Sequence, residues 1–235
     1  MTLADFYTRV NYALRGIDED SPTHGTDEAI FWLSTLNRKK NETYEDVAKN
    51  WSNTYEVRSI GTVTATATPS YNLPADFLAL SGDQNSTNGL SGGIYIITTD
   101  SKRVDINVIN PNERDTVNRS AYIAGFNPQK VYITNEITAD ENIVGGTVYA
   151  QGYYMPADVE DETDVLPFLD PNWAVMAVAA EIAFADITYE DKAPDLNAKA
   201  NDLYKKMVQK NRNQLHNNPQ PLKYNVKRIG NSRYS

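Results

Sequence analysis

The chain has 235 residues, enough for one large domain or two modest ones and for a substantial core. It has no cysteine, which excludes disulfides and thiolate metal sites, and a net charge of −9, which argues against general nucleic-acid affinity because phosphate binding needs clustered Lys and Arg. The charge is uneven: from Asn217 onward Lys223, Lys227, Arg228 and Arg233 face no acid and give +4, leaving 18 bases against 31 acids, or −13, in the other 216 residues. Tyrosines number 15 against 6 phenylalanines, a bias common where side chains are half buried and half wet, as at subunit contacts. The opening Met-Thr-Leu-Ala-Asp-Phe-Tyr has neither a basic nor an apolar signal region, so a protein made and used in a cytoplasm is expected.

Thr2 with Asp5 forms a capping-box start, and Leu3, Phe6, Tyr7, Val10 and Leu14 make one helical stripe that Gly16 ends. An acidic loop, Ile17 to Gly25, follows. A second helix opens at Thr26, with Asp27 and Glu28 where the helix dipole favours them. Ala29, Leu33, Leu36, Tyr44, Val47 and Trp51 recur at near-heptad spacing, which predicts one long helix to about Trp51, or a break near Asn41. Beyond Thr54 the period becomes two. Thr62 to Thr68 alternates strictly, and further strands are predicted at Ile94–Thr99, Val104–Ile109, Lys130–Thr134 and Thr147–Tyr154, with a short helix within Pro111–Tyr122 capped by Asn110.

Helices return after an acidic run. Asp170 caps and Pro171 opens a helix whose residues Trp173 to Ile187 are apolar nearly all round, with only Glu181 and Asp186 charged. Such a helix must be covered on most faces, by its own chain or by neighbouring copies, and is too short for a membrane span of about 20 apolar residues. Pro194 reads as a break, and Leu196, Ala200, Leu203, Met207 and Leu215 give a last stripe. The expected fold is therefore α+β: a four-helix bundle of two N-terminal and two C-terminal helices, an inserted antiparallel sheet or sandwich, and an extended C-terminal arm. The corresponding segments are 1–53, 54–157, 158–216 and 217–235.

Candidate chemistry is sparse. Gly89-Leu90-Ser91-Gly92-Gly93 matches the nucleophile-elbow pattern, but a polar loop before it and a strand after it read as a hairpin turn. His24 and His216 sit in or beside loops without a metal-type partner. The acidic run Asp158, Glu160, Asp161, Glu162, Asp164 lacks the order and glycine of a calcium loop and reads as a solvated linker ending in a helix cap. No catalytic, cofactor-binding or metal residue is assigned. The tail is the better candidate: Leu222, Tyr224, Val226 and Ile229 alternate in part with Lys223, Lys227 and Arg228, and Tyr234 follows, a pattern that can add as a strand to a partner's sheet edge. The alternative is an unstructured terminus.

Trp51 closing the helix pair, Tyr71-Asn72-Leu73-Pro74-Ala75-Asp76-Phe77, then Gly125, Pro128 and Val131-Tyr132-Ile133, then Tyr153-Tyr154 with Pro156, and Asp164 with Leu166-Pro167 before the alanine-rich helix, resemble in their order the head-to-tail adaptor (connector) proteins of tailed bacteriophages. The resemblance implies a non-enzymatic virion structural protein in the neck between capsid and tail, assembled in the host cytoplasm. It implies a ring, usually twelvefold, beneath the portal, joining it to the tail or next neck component and enclosing a conduit for double-stranded DNA. The arm would be the portal-binding element. Trp173, Met176, Ala180, Phe184 and Ile187 would serve subunit contacts or the bundle core, and the isolated chain would be monomeric. The alternatives are another tail-completion or tube-associated protein and, more distantly, a carbohydrate-active enzyme with paired carboxylates.

Overall fold

The computed structural model describes residues 1–16, 21–46, 51–65, 69–81, 90–113, 120–126, 128–134, 137 and 142–217. Among them are four α-helices and one eight-stranded sheet, so the fold is mixed α+β. The tail beyond Asn217, including every arm residue named above, lies outside the described residues.

Helix α1 (Leu3–Arg15) has the expected capping box, with the Asp5 N–H donating to Thr2 Oγ1 at 3.2 Å and the Thr2 N–H donating to Asp5 Oδ2 at 3.1 Å. Gly16 ends it at φ +76°, the left-handed conformation that glycine adopts without a Cβ penalty. Helix α2 (Asp27–Tyr44) is capped by Thr26 and stops earlier than the heptad reading predicts. Residues 47–50 lie outside the described residues, and the Trp51 indole N–H donates to the Thr43 carbonyl at 2.9 Å, a contact that eight residues of continuous helix would not allow. Trp51 thus reaches the core by a return of the chain; its heptad spacing from Tyr44 is coincidental.

Helix α3 (Pro171–Ala185) is capped by Asp170, whose carboxylate accepts from the Asn172 N–H at 3.1 Å. Helix α4 is Ala193–Asn217. Pro194 does not break it: the proline lies in the first turn, where a missing N–H costs nothing. Helices α1, α2 and α4 all pack on α3. Trp173, Ala174, Val175, Val178, Ala179, Ala180, Ile182 and Ala183 are consequently buried by this chain alone. The apolar excess of α3 is used chiefly within the chain, and only its C-terminal end stays uncovered.

The strands are β1 (Tyr55–Thr62), β2 (Ser70–Asn72), β3 (Phe77–Leu80), β4 (Leu90–Ile97), β5 (Arg103–Ile109), β6 (Ser120–Ala124), β7 (Lys130–Ile133) and β8 (Thr147–Tyr154). Their order is β1-β8-β4-β5-β6-β7-β2, with β3 also pairing β8. Pairing is antiparallel except between β5 and β6, where Asn107 pairs with Ser120 and Ile109 with Tyr122 in parallel. Of the short helix expected within Pro111–Tyr122, the described residues show a 3-10 turn, Pro111–Glu113, with Asn110 Oδ1 accepting from the Asn112 N–H at 3.1 Å, and Tyr122 in β6; residues 114–119 lie outside the described residues. The Ser91 segment lies within β4 and not in a hairpin turn. In the Thr62–Thr68 alternation, β1 ends at Thr62 and residues 63–65 are outside any strand, while residues 66–68 lie outside the described residues.

Strand β1 escapes pattern reading because Glu56 and Arg58 share its inward side. Arg58 is held there by Glu56 at 2.7 Å and Asp76 at 2.8 Å, and its guanidinium lies 4.0 Å from the Tyr154 ring centroid. The sheet curls until its two ends meet, with the Tyr71 hydroxyl of β2 donating to the Thr62 carbonyl of β1 at 3.3 Å. One core, including Ile94, Ile96, Ile106, Val131, Ile133, Val148 and Ala150, fills the sheet's concave side; a second, around α3, is built from the helices, Trp51 and the Val159–Phe168 segment.

Candidate assembly surfaces

Three features remain after the cores are accounted for. The first is the end of the helical half where α3 stops. Phe184 is 60% exposed and Ile187 is 87% exposed, beside Ile30 and Phe31 of α2 and Tyr12 of α1 at 54%, 45% and 57%. Polar contacts fix these at one end. Glu181 of α3 is contacted by Arg38 and, at 3.1 Å, by Lys39, while Tyr44 at the far end of α2 stacks on Phe168, ahead of α3, with centroids 6.1 Å apart. Helix α2 therefore runs antiparallel to α3, and its start lies beside the end of α3. Arg15, in the last turn of α1, bonds Glu28 at 2.8 Å and the Tyr189 hydroxyl at 3.0 Å, which brings α1 to the same end. Past α3, the Asp186 carboxylate accepts from the Thr188 N–H at 2.9 Å and is held below the usual carboxylate range by that bond. This turn presents Ile187 to solvent.

Of the α3 residues singled out in the sequence, Trp173 and Ala180 are buried, Met176 packs at the margin of the helical core, and Phe184 and Ile187 are exposed. The set thus divides between core and surface. Ile30, Phe31 and Tyr12 were missed because a helical stripe identifies the buried face and gives no signal for an isolated apolar residue on the opposite one.

The second feature is the convex side of the sheet. Tyr95 and Tyr149 stack with centroids 5.2 Å apart, Tyr122 and Tyr132 with centroids 5.0 Å apart, and Tyr55 meets Tyr153 edge-on at 5.9 Å. The Arg103 guanidinium lies 3.8 Å from the Tyr95 ring centroid. Six of the 15 tyrosines are thus used in cross-strand pairs, which accounts for part of the tyrosine bias.

The third is a groove of about 310 Å³ between the helical half and the sheet, lined by Asn53, Glu56, Tyr154, Pro156, Leu166 and Phe168 among others. Its lining is mixed, with Tyr154, Leu166 and Phe168 beside Asn53, Thr54 and Glu56, and the Pro167 carbonyl within it accepts from Tyr44 Oη at 2.6 Å and from Asn53 Nδ2 at 2.7 Å. Glu56 lines it and shares Arg58 with Asp76, at 2.7 Å and 2.8 Å. Burial pushes the Tyr154 phenol up to about 12.

The acidic run caps a helix, but not the one that follows it. The carbonyls of Asp164 and Glu162 accept from the N–H groups of Leu3 at 3.0 Å and Ala4 at 3.1 Å, so the run closes the N-terminus of α1. Asp164 accepts from the N–H groups of Asp161 and Glu160, both at 2.9 Å, which holds its carboxyl below the usual range. His24 is exposed with its ring 6.4 Å from that of Tyr7, and the side chain of His216 lies outside the described residues. Among the described residues no cluster of three or more His, Asp or Glu could hold a metal, and no helix is long and apolar enough to cross a membrane.

The fold is a curled sheet seated on a helical half, with exposed apolar side chains at one end of the helices and half-buried tyrosine pairs along the convex side of the sheet. The chain belongs to the SU10 adaptor protein family, a phage head-tail adaptor family whose model matches residues 1–225. No curated protein matches it.

Proposed function

We propose that this chain is a neck adaptor whose mechanism is assembly: about twelve copies close into a ring beneath the portal, join it to the tail or next neck component, and line a passage for DNA. The observation that carries the reading is the exposure of Phe184 and Ile187 at the end of α3, with Ile30, Phe31 and Tyr12 also exposed toward the same end of the helical half, on a chain of this family. A contact between that patch and a different face of the next copy is head-to-tail, and such contacts close into a ring when the rotation permits. The four helices act as a bundle spanning residues 1–53 and 158–216, the segment 54–157 as a β insertion, and residues 217–235 as the arm.

In this reading the arm, through Leu222, Lys223, Tyr224, Val226, Lys227, Arg228, Ile229 and Tyr234, binds the portal, and the isolated protein stays monomeric until the portal templates the ring. The charge of −13 outside the arm suits a wall past which DNA slides without sticking. Electron microscopy of the protein mixed with its own portal tests the reading. A ring beneath the portal with more acidic than basic side chains facing the lumen is expected; failure to form such a ring overturns the adaptor position. A chain truncated after Asn217 is expected to keep its circular dichroism spectrum and lose portal binding, and retained binding removes the arm's role.

A further inference from the structure

The last turns of helix α4 lie beside the groove. The Ser52 N–H donates to Asn211 Oδ1 at 2.8 Å and Ser52 Oγ donates to Gln214 Oε1 at 2.8 Å, so the last turns of α4 are pinned to the residue next to Asn53, which lines the groove. The helix ends three residues later, at Asn217. Eighteen further residues follow, and the five that lead to Leu222 span up to about 17 Å when extended, enough to bring that side chain to the groove from its rim.

We propose that in the unassembled protein the groove is occupied by the chain's own segment Pro221–Tyr224, with Leu222 inserted between Tyr154, Leu166 and Phe168 and Lys223 at the rim beside Glu56. The chemistry matches at each point. Tyr154, Leu166 and Phe168 offer apolar lining, and the Pro167 carbonyl beside them is already hydrogen-bonded, so an aliphatic side chain can sit there without stranding that acceptor. At the rim one cation, Arg58, is shared between two carboxylates, Glu56 and Asp76, which leaves one negative charge in excess for Lys223. Proline at positions 219 and 221 fixes φ and so lowers the entropy lost on docking. Docking in the groove stands whether or not the same segment later engages a portal, and gives the arm a parking site that a portal must compete with.

The chain's lack of cysteine makes the test direct. In the full-length protein alone, Pro156→Cys with Leu222→Cys is expected to form an intramolecular disulfide, read as a faster-migrating monomer. Its rate should exceed that of Pro156→Cys with Ser232→Cys about tenfold or more, because docking raises local concentration above that of a free tether. Equal rates overturn the proposal, and so does a product that consists only of disulfide-linked dimers, which places the segment in a second copy's groove. Glu56→Lys added to the first pair is expected to slow the reaction severalfold, and an unchanged rate removes Lys223 from the rim. If circular dichroism shows that Pro156→Cys unfolds the chain, the half-exposed position Glu56→Cys replaces it with the same expected ranking. Portal binding takes no part in this readout, so its failure and that of the adaptor reading are separable.

Discussion

The ring of Tyr71 lies so close over Gly61 that a β-carbon there would sit 2.4 Å from its Cδ1 and 2.9 Å from its Cε1. Tyr71 belongs to β2 and Gly61 to β1, the two ends of the sheet order, so this contact is what closes the curl. Gly61→Ala forces the ring away and is expected to destabilise the chain by about 1–3 kcal/mol through overpacking. Adding Tyr71→Leu should recover part of that loss, a non-additivity measured by urea denaturation of the four variants of the cycle. Strict additivity would mean that the ring can move without cost and that the two ends do not depend on each other.

Burial pushes the Tyr44 phenol up to about 12 from its ordinary value of 10. A phenol whose folded value is raised contributes stability that is complete below pH 10 and is lost as the pH rises toward 12, because the unfolded chain ionises first. The full loss from this group corresponds to about 3 kcal/mol. Tyr44→Phe should cost about 1 kcal/mol at pH 8, since the Pro167 carbonyl keeps Asn53 as a donor, and should then flatten the alkaline slope. The two denaturation curves are expected to approach and cross between pH 10 and 12. Parallel slopes would show that Tyr44 ionises without unfolding.

Lys40 joins the helical half to the strand that leaves the sheet. It is 2% exposed, and its ammonium donates to the Pro156 carbonyl at 2.7 Å and to Asp158 Oδ1 at 2.5 Å. Lys40→Met retains most of the buried stem and leaves Asp158 partly in water, so its cost is mainly the orphaned Pro156 carbonyl, about 1–3 kcal/mol. Lys40→Ala adds a cavity and should cost roughly 1–2 kcal/mol more. Thermal or urea denaturation ranks the two, and equal losses would mean that the ammonium, not the stem, supplies all of the stabilisation.

What could be read from the sequence follows from where the signal resides. Helix α1 was legible to the residue because Thr2, Asp5 and Gly16 mark its ends and five apolar residues its buried face. Strand β8 was legible because Val148 and Ala150 alternate with outward Tyr149. Strand β1 was not, because Arg58 is drawn inward by two carboxylates and an aromatic ring, partners that are distant in the chain. The end of α2 was misread because Trp51 satisfies a heptad through a turn that spacing alone does not encode. The groove was invisible for the same reason: Asn53, Tyr154 and Phe168 meet only after folding, and nothing local marks any of them as a wall. For α3 the apolar composition marked the need for cover but not its source, which is mostly α1, α2 and α4.

The exposed end of α3 is where the chain's stability and its proposed assembly separate. Phe184 and Ile187 are 60% and 87% exposed, so polar substitution removes little that the folded monomer uses. Phe184→Ser with Ile187→Ser should change monomer stability by no more than about 0.5 kcal/mol, the usual range for surface positions. Trp173→Ala, buried between Phe168 and Tyr204 on the same helix, should instead cost about 3–5 kcal/mol. If the patch is covered by the next copy in a ring, the double substitution removes apolar burial at every contact and should weaken each by on the order of a hundredfold. The measurements are urea denaturation of the monomer and, with the portal present, counting of complete rings by electron microscopy. A double variant that folds normally and still closes its ring would assign the subunit contact to another face, of which the paired tyrosines on the convex side of the sheet are the next to be altered.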